Sequence, residues 1–177
     1  MCMSKLVVSL LSTACLVPAE TLSHPEARHN TTLAAVAGSY YYGDGLGMNL
    51  SLVVKPEGRF SFIWRGCLGV YDKNEGGAKV VEDHLILTPE QPNESRGIRR
   101  IPTDLVPVRW GERLYLIPKE AAKGFCYEVI NDREPRSNPH GEYYLREGDW
   151  GKKVTGLPNV PKEWESLLQK KPIENPK

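Results

Sequence analysis

Apolar and polar residues alternate along two neighbouring stretches with the two-residue period of a β-strand. In residues 49–55, Leu50, Leu52 and Val54 share one face. In residues 59–65, Phe60, Phe62 and Trp64 share one face, while Arg59, Ser61 and Arg65 share the other. Pro56-Glu57-Gly58 lies between them. Proline presets one turn dihedral and glycine permits the opposite sign, so the two runs predict a hairpin. Residues 39–42 read as a short aromatic strand before it, and residues 68–71 as a strand after it. The polar run 72–77, ending in Gly76-Gly77, reads as a turn. Two more hairpins follow: 79–82 with 84–88 about Asp83, and 105–110 with 113–117 about Gly111-Glu112. Residues 142–146 give a last strand.

After Pro118 the period changes. Ala122, Phe125, Cys126, Val129 and Ile130 recur at three- and four-residue steps, the stripe of an amphipathic helix. Gly124 inside it disfavours the helix by about 1 kcal/mol relative to alanine. Asn131-Asp132 and Pro135 end it, and Pro158 and Pro161 introduce a short helix holding Trp164, Leu167 and Leu168. The expected fold is therefore mainly β. It is a small antiparallel meander barrel or half-open sheet of about six to eight strands, with one or two covering helices. A single domain spans residues 37–170, after a flexible leader over 20–36 and before a frayed tail over 171–177.

The start of the chain adds a compartment. Lys5 is the one charge before Glu20, and residues 6–16 are apolar but too short to span a bilayer. Val17-Pro18-Ala19 offers small residues where a signal peptidase reads, so residues 1–19 are expected to be a signal peptide cleaved after Ala19. Periplasmic or secreted export follows. The alternative is a lipid anchor on Cys15, with Ser12 where a lipid-attachment motif has leucine. No later stretch approaches membrane-spanning length. Losing Lys5 leaves 22 basic and 22 acidic side chains, and a net charge of zero argues against a general nucleic-acid binder.

Export also bears on the cysteines. Cys67 and Cys126 remain after cleavage, and an oxidising compartment favours pairing them. Cys67 follows the aromatic strand face and Cys126 lies on the helix stripe, so both are expected at one sheet–helix interface. The bridge would contribute ~4 kcal/mol by chain entropy. The alternative is two buried thiols packed as small hydrophobes. Two isolated cysteines do not make a zinc site.

Other motifs are incomplete. Residues 43–47 are glycine-rich, but a strand-like run follows where a phosphate loop needs a helix. Asp72, Asn74, Gly77 and Asp83 match positions of a calcium loop, but Gly76 supplies no ligand oxygen and Asp83 is shorter than the usual glutamate. His24, His29, His84 and His140 show no helical ligand spacing, and no Gly-x-Ser-x-Gly elbow is present. A thiol pair of Cys67 with His84 or His140 would need Cys67 to stay reduced. No metal or cofactor is expected. The aromatic set Tyr40, Tyr42, Phe60, Phe62 and Trp64 is the candidate ligand-binding lining, against the alternative of a packed core.

Gly38-Ser39-Tyr40, Leu50-x-Leu52, Gly58-x-Phe60, Gly76-Gly77 and Leu85-x-Leu87 together resemble the meander of small exported bacterial lipocalin-like barrels. The likeness covers about residues 38–88, and Gly77-Ala78-Lys79 stands where the family has Gly-Thr-Trp. It implies a barrel at the cell envelope with a binding or structural role, and it carries over no functional residue. The expected function is thus a non-catalytic exported protein that binds a small apolar ligand or a protein partner. The alternative is an extracytoplasmic hydrolase using acids such as Asp44, Asp72 or Asp149.

Overall fold

Tyr40 and Tyr42, then Leu50, Leu52 and Val54, then Phe60, Phe62 and Trp64 turn to one side of three consecutive strands, and that side is the inside of a barrel. The computed structural model describes residues 31–45, 47–92, 101–131, 133 and 143–169. The strands are β1 (Gly38–Gly43), β2 (Asn49–Lys55), β3 (Arg59–Gly66), β4 (Gly69–Val81), β5 (His84–Pro89), β6 (Asp104–Trp110), β7 (Arg113–Pro118) and β8 (Tyr144–Arg146). Each pairs antiparallel with the next, and β8 returns to β1 through Tyr40↔Arg146 and Tyr41↔Leu145. Closure leaves the first and last strands without a free edge. The expected antiparallel barrel with covering helices is the observed fold.

Two apolar layers follow from strand alternation. The inner one joins Tyr40, Tyr42, Phe60, Phe62, Trp64, Leu85, Leu105, Leu116 and Tyr144 with their neighbours. The outer one lies on the other face of β6–β8, where Val106, Val108, Trp110, Tyr115, Ile117, Tyr143 and Leu145 point away from the barrel axis. This explains why β7 is buried at every position. A 3₁₀ turn (Lys119–Ala121) and α2 (Ala122–Ile130) cover that outer face with Phe125, Cys126 and Val129. The helix α3 (Lys162–Glu165) adds Trp164 to the same layer.

Three expectations change. Residues 72–77 are not a turn: they belong to the thirteen-residue β4. Their polar side chains lie mostly on the outer face, and small or polar Asn74, Gly76 and Ala78 face inward. A Cβ on Gly76 would lie 2.0 Å from the Thr88 carbonyl oxygen, so glycine is required for β4 to lie against β5. Residues 72–81 therefore extend along a strand, with 82–83 turning into β5, and this is not the looped backbone of a twelve-residue calcium site. Residues 20–30 of the expected leader lie outside the described residues; its last residues form α1 (Leu33–Val36), which begins under a Thr32 cap and sends Val36 into the barrel core.

The third change is the disulfide. No bridge joins Cys67 to Cys126. The aromatic face of β3 points into the barrel, whereas α2 lies outside β6–β8, on the far side of the ring. Cys67 is exposed at the β3–β4 turn beside Leu68, which is 91% exposed, and Cys126 is a buried thiol in the outer layer. Burial pushes the Cys126 thiol up to about 11. The expected signal peptide, the cleavage point at Ala19 and the anchor at Cys15 lie outside the described residues, as do His24, His29, His140 and the tail over 171–177. No helix among the described residues is long and apolar enough to cross a membrane.

Candidate binding cleft at the barrel seam

The wall of the barrel is thin between β5 and β6. Among the described residues, Leu85↔Leu105 and Ile86↔Asp104 pair there, with a further bond from the Leu87 N–H to the Thr103 carbonyl at 2.9 Å. Beyond this contact β6 runs on beside β7 as far as Trp110↔Arg113. The Arg109 carbonyl accepts the Asn159 N–H at 2.8 Å on the side away from β7. Strand residues two apart direct their backbone groups the same way. Pro107 therefore faces that side too, and its missing N–H leaves no unpaired donor.

A half-open cleft of about 920 Å³ occupies this seam. Its floor is apolar and includes Val36, Val106, Pro107, Leu114 and Val160. Its rim is charged: Glu82, Asp83, Glu163 and Glu165 outnumber Arg109 and Lys162. The volume falls within the range of small-molecule sites, about 300–1,000 Å³.

His84 is the centre of the polar groups. Its Nδ1 lies 2.6 Å from Asp104 Oδ1, and its Nε2 lies 3.9 Å from Glu163 Oε1. Lys119 Nζ approaches the other Asp104 oxygen at 3.7 Å. An ionised carboxylate only accepts, so the His84–Asp104 contact places the proton of a neutral imidazole on Nδ1. Nε2 then presents a lone pair towards Glu163. The β4–β5 turn that delivers His84 has positive φ at both Glu82 (49°) and Asp83 (64°), the form needed to close a two-residue hairpin. Asp83 Oδ1 accepts the Thr31 N–H at 2.8 Å and ties the chain before α1 to this rim.

The back and side of the cleft are fixed from elsewhere. The Tyr40 hydroxyl donates to the Val36 carbonyl at 2.6 Å, and the Arg146 guanidinium lies over the Tyr40 ring and donates to the Ala35 and Ala37 carbonyls. Burial raises the Tyr40 pKa, and Arg146 partly opposes the shift. On the other side, Trp110 Nε1 donates to the Gly156 carbonyl at 2.8 Å. Arg113 donates to the Lys152 and Trp150 carbonyls at 2.7 and 3.1 Å. These bonds carry the segment after β8 along the barrel and bring Asn159–Glu165 to the cleft.

No family, no curated protein and no solved structure matches the chain.

The structure brings the aromatic candidates together, but inside the barrel. Tyr40, Tyr42, Phe60, Phe62 and Trp64 are all buried in the inner core, and none lines the cleft. None of the acids weighed for hydrolysis lines the cleft, and each accepts backbone N–H groups. Asp44 accepts the Gly47 and Met48 N–H groups, Asp72 accepts the Lys73 N–H, and Asp149 accepts the Leu114 N–H. Sequence reasoning missed Asp104, Glu163 and the pairing of His84. His84 opens an ordinary strand, its partner is 20 residues away, and neither forms a local motif.

Proposed function

We propose that this is an exported, non-catalytic binding protein whose ligand site is the cleft at the β5–β6 seam. The observation that carries the reading is a cleft of ligand size with an apolar floor and a fixed His84–Asp104 pair, beside an inner core occupied by aromatic side chains. The His84–Asp104 pair alone does not make a hydrolase. A relay needs a nucleophile within hydrogen-bond reach of the free imidazole nitrogen. Among the described residues the lining contains no serine or cysteine, and the hydroxyl found there belongs to Thr31, whose N–H holds Asp83. The likeness to small exported lipocalin-like barrels is a supporting expectation, and export itself rests on residues 1–19.

Two measurements test this reading. A fragment screen by methyl NMR should shift Val106, Leu114 and Val160 while leaving Leu52 and Leu85 in the core unmoved. Hits that shift the core methyls and spare the cleft would move the site into the barrel. N-terminal sequencing of the mature protein should begin at Glu20; a lipid-modified start at Cys15 would replace secretion with anchoring.

A further inference from the structure

We infer that the cleft accepts a small aliphatic primary amine, with its ammonium between His84 Nε2 and Glu163 Oε1 and its stem on Val106, Pro107 and Val160. This rests on the cleft being the binding site, and adds the chemistry of what it binds. In the neutral imidazole with its proton on Nδ1 against Asp104, Nε2 and Glu163 Oε1 are both acceptors. They stand 3.9 Å apart, so one donor placed between them can bond to both. A nitrogen about 2.9 Å from each sees the two acceptors at an angle of roughly 85°, so each of two ammonium N–H bonds reaches its acceptor with a bend of about 12°, within hydrogen-bond geometry. A primary ammonium supplies both bonds and still has a third proton for the rim; a quaternary ammonium supplies none.

The charge of the rim points the same way. Four carboxylates face two cations across the lining, so a positive group is favoured over a negative one. Apolar side chains below would take the carbon stem out of water. A metal ion fits less well, since no group of three or more His, Cys, Asp or Glu able to hold one exists among the described residues.

Isothermal titration with four six-carbon probes tests the inference: hexylamine, hexyltrimethylammonium, hexan-1-ol and hexanoate. Hexylamine should bind at least tenfold more tightly than the other three. Glu163→Gln should abolish that advantage. Glu163 is exposed, so the variant should melt like the parent protein. Equal binding of hexylamine and hexanol to the cleft methyls would overturn the amine inference and leave the cleft reading standing. Tighter binding of hexanoate, or an advantage that survives Glu163→Gln, would overturn it as well. No shift of the cleft methyls by any of the four at tens of millimolar would overturn both.

Discussion

A Cβ built on Gly124 would lie 2.8 Å from the Tyr143 hydroxyl oxygen, so this glycine sets how closely α2 lies on the wall of β6–β8. In an open helix, Gly124→Ala would stabilise by about 1 kcal/mol. Here Tyr143 is buried and packs edge-on against Phe125, so it has little room to yield. Overpacking of this kind costs about 1–3 kcal/mol. Gly124→Ala should therefore destabilise the protein by about 1–2 kcal/mol in urea denaturation. In a Tyr143→Phe background the penalty should shrink or reverse. Equal penalties in both backgrounds would break the proposed link between these two residues.

Alkaline pH should loosen the same layer. Burial pushes the Cys126 thiol up to about 11 from an ordinary value of 9.0. Burial first, and repulsion from Glu128 second, push the Tyr143 hydroxyl up to about 12 from 10.0. The unfolded chain loses both protons before the folded one does, so stability is complete below about pH 9 and falls between about pH 9 and 12. Each group contributes of order 2–3 kcal/mol to that fall. Denaturation midpoints measured from pH 8 to 12 should trace it. Cys126→Ala should delay its onset by about one pH unit, relative to its own value at pH 8.

The strained turn at the cleft makes a separate prediction. Glu82 holds a left-handed conformation that costs an ordinary L-residue about 1–2 kcal/mol, and asparagine tolerates it better. Glu82→Asn should raise stability by about 0.5–1 kcal/mol, read as a rise in Tm. An unchanged or lowered Tm would show that the Glu82 side chain makes a compensating contact.

The barrel was legible because its signal is local. Leu50, Leu52, Val54, Phe60, Phe62 and Trp64 declare both strand and inner face by alternation, and Pro56–Gly58 marks the turn between them. The stripe of Phe125, Cys126 and Val129 likewise declares α2. What alternation does not declare is which wall a helix covers. The outward residues Val106, Val108, Tyr115 and Ile117 are as apolar as the inward ones, a sign of a second covered face that was available in the sequence. The disulfide expectation placed α2 against β3 without that sign. β4 was hidden for another reason: its outer face is charged and its inner face carries Asn74 and Gly76, so it has the composition of a turn. The cleft was hidden because His84, Asp104 and Glu163 meet only through barrel closure and the return of the C-terminal segment.

Asp149 offers the sharpest separation between a structural and a catalytic carboxylate. It is buried, its Oδ2 accepts the Leu114 N–H at 2.9 Å, and its Oδ1 pairs with Lys152 Nζ at 2.6 Å. Leu114 begins the inward run of β7, and the neighbouring Arg113 holds the Lys152 and Trp150 carbonyls. Asp149 thus pins the turn after β8 to the start of β7. Asp149→Ala would leave the buried Leu114 N–H without its acceptor, at a cost of about 1–3 kcal/mol. Asp149→Asn keeps an acceptor oxygen for the Leu114 N–H and turns its NH2 towards Lys152, which is half exposed and can swing into water, so it should cost less than Asp149→Ala. Urea denaturation of both variants should give that order, with cleft binding preserved in Asp149→Asn. Equal stability of all three proteins would remove the structural role and return Asp149 to the candidates for chemistry.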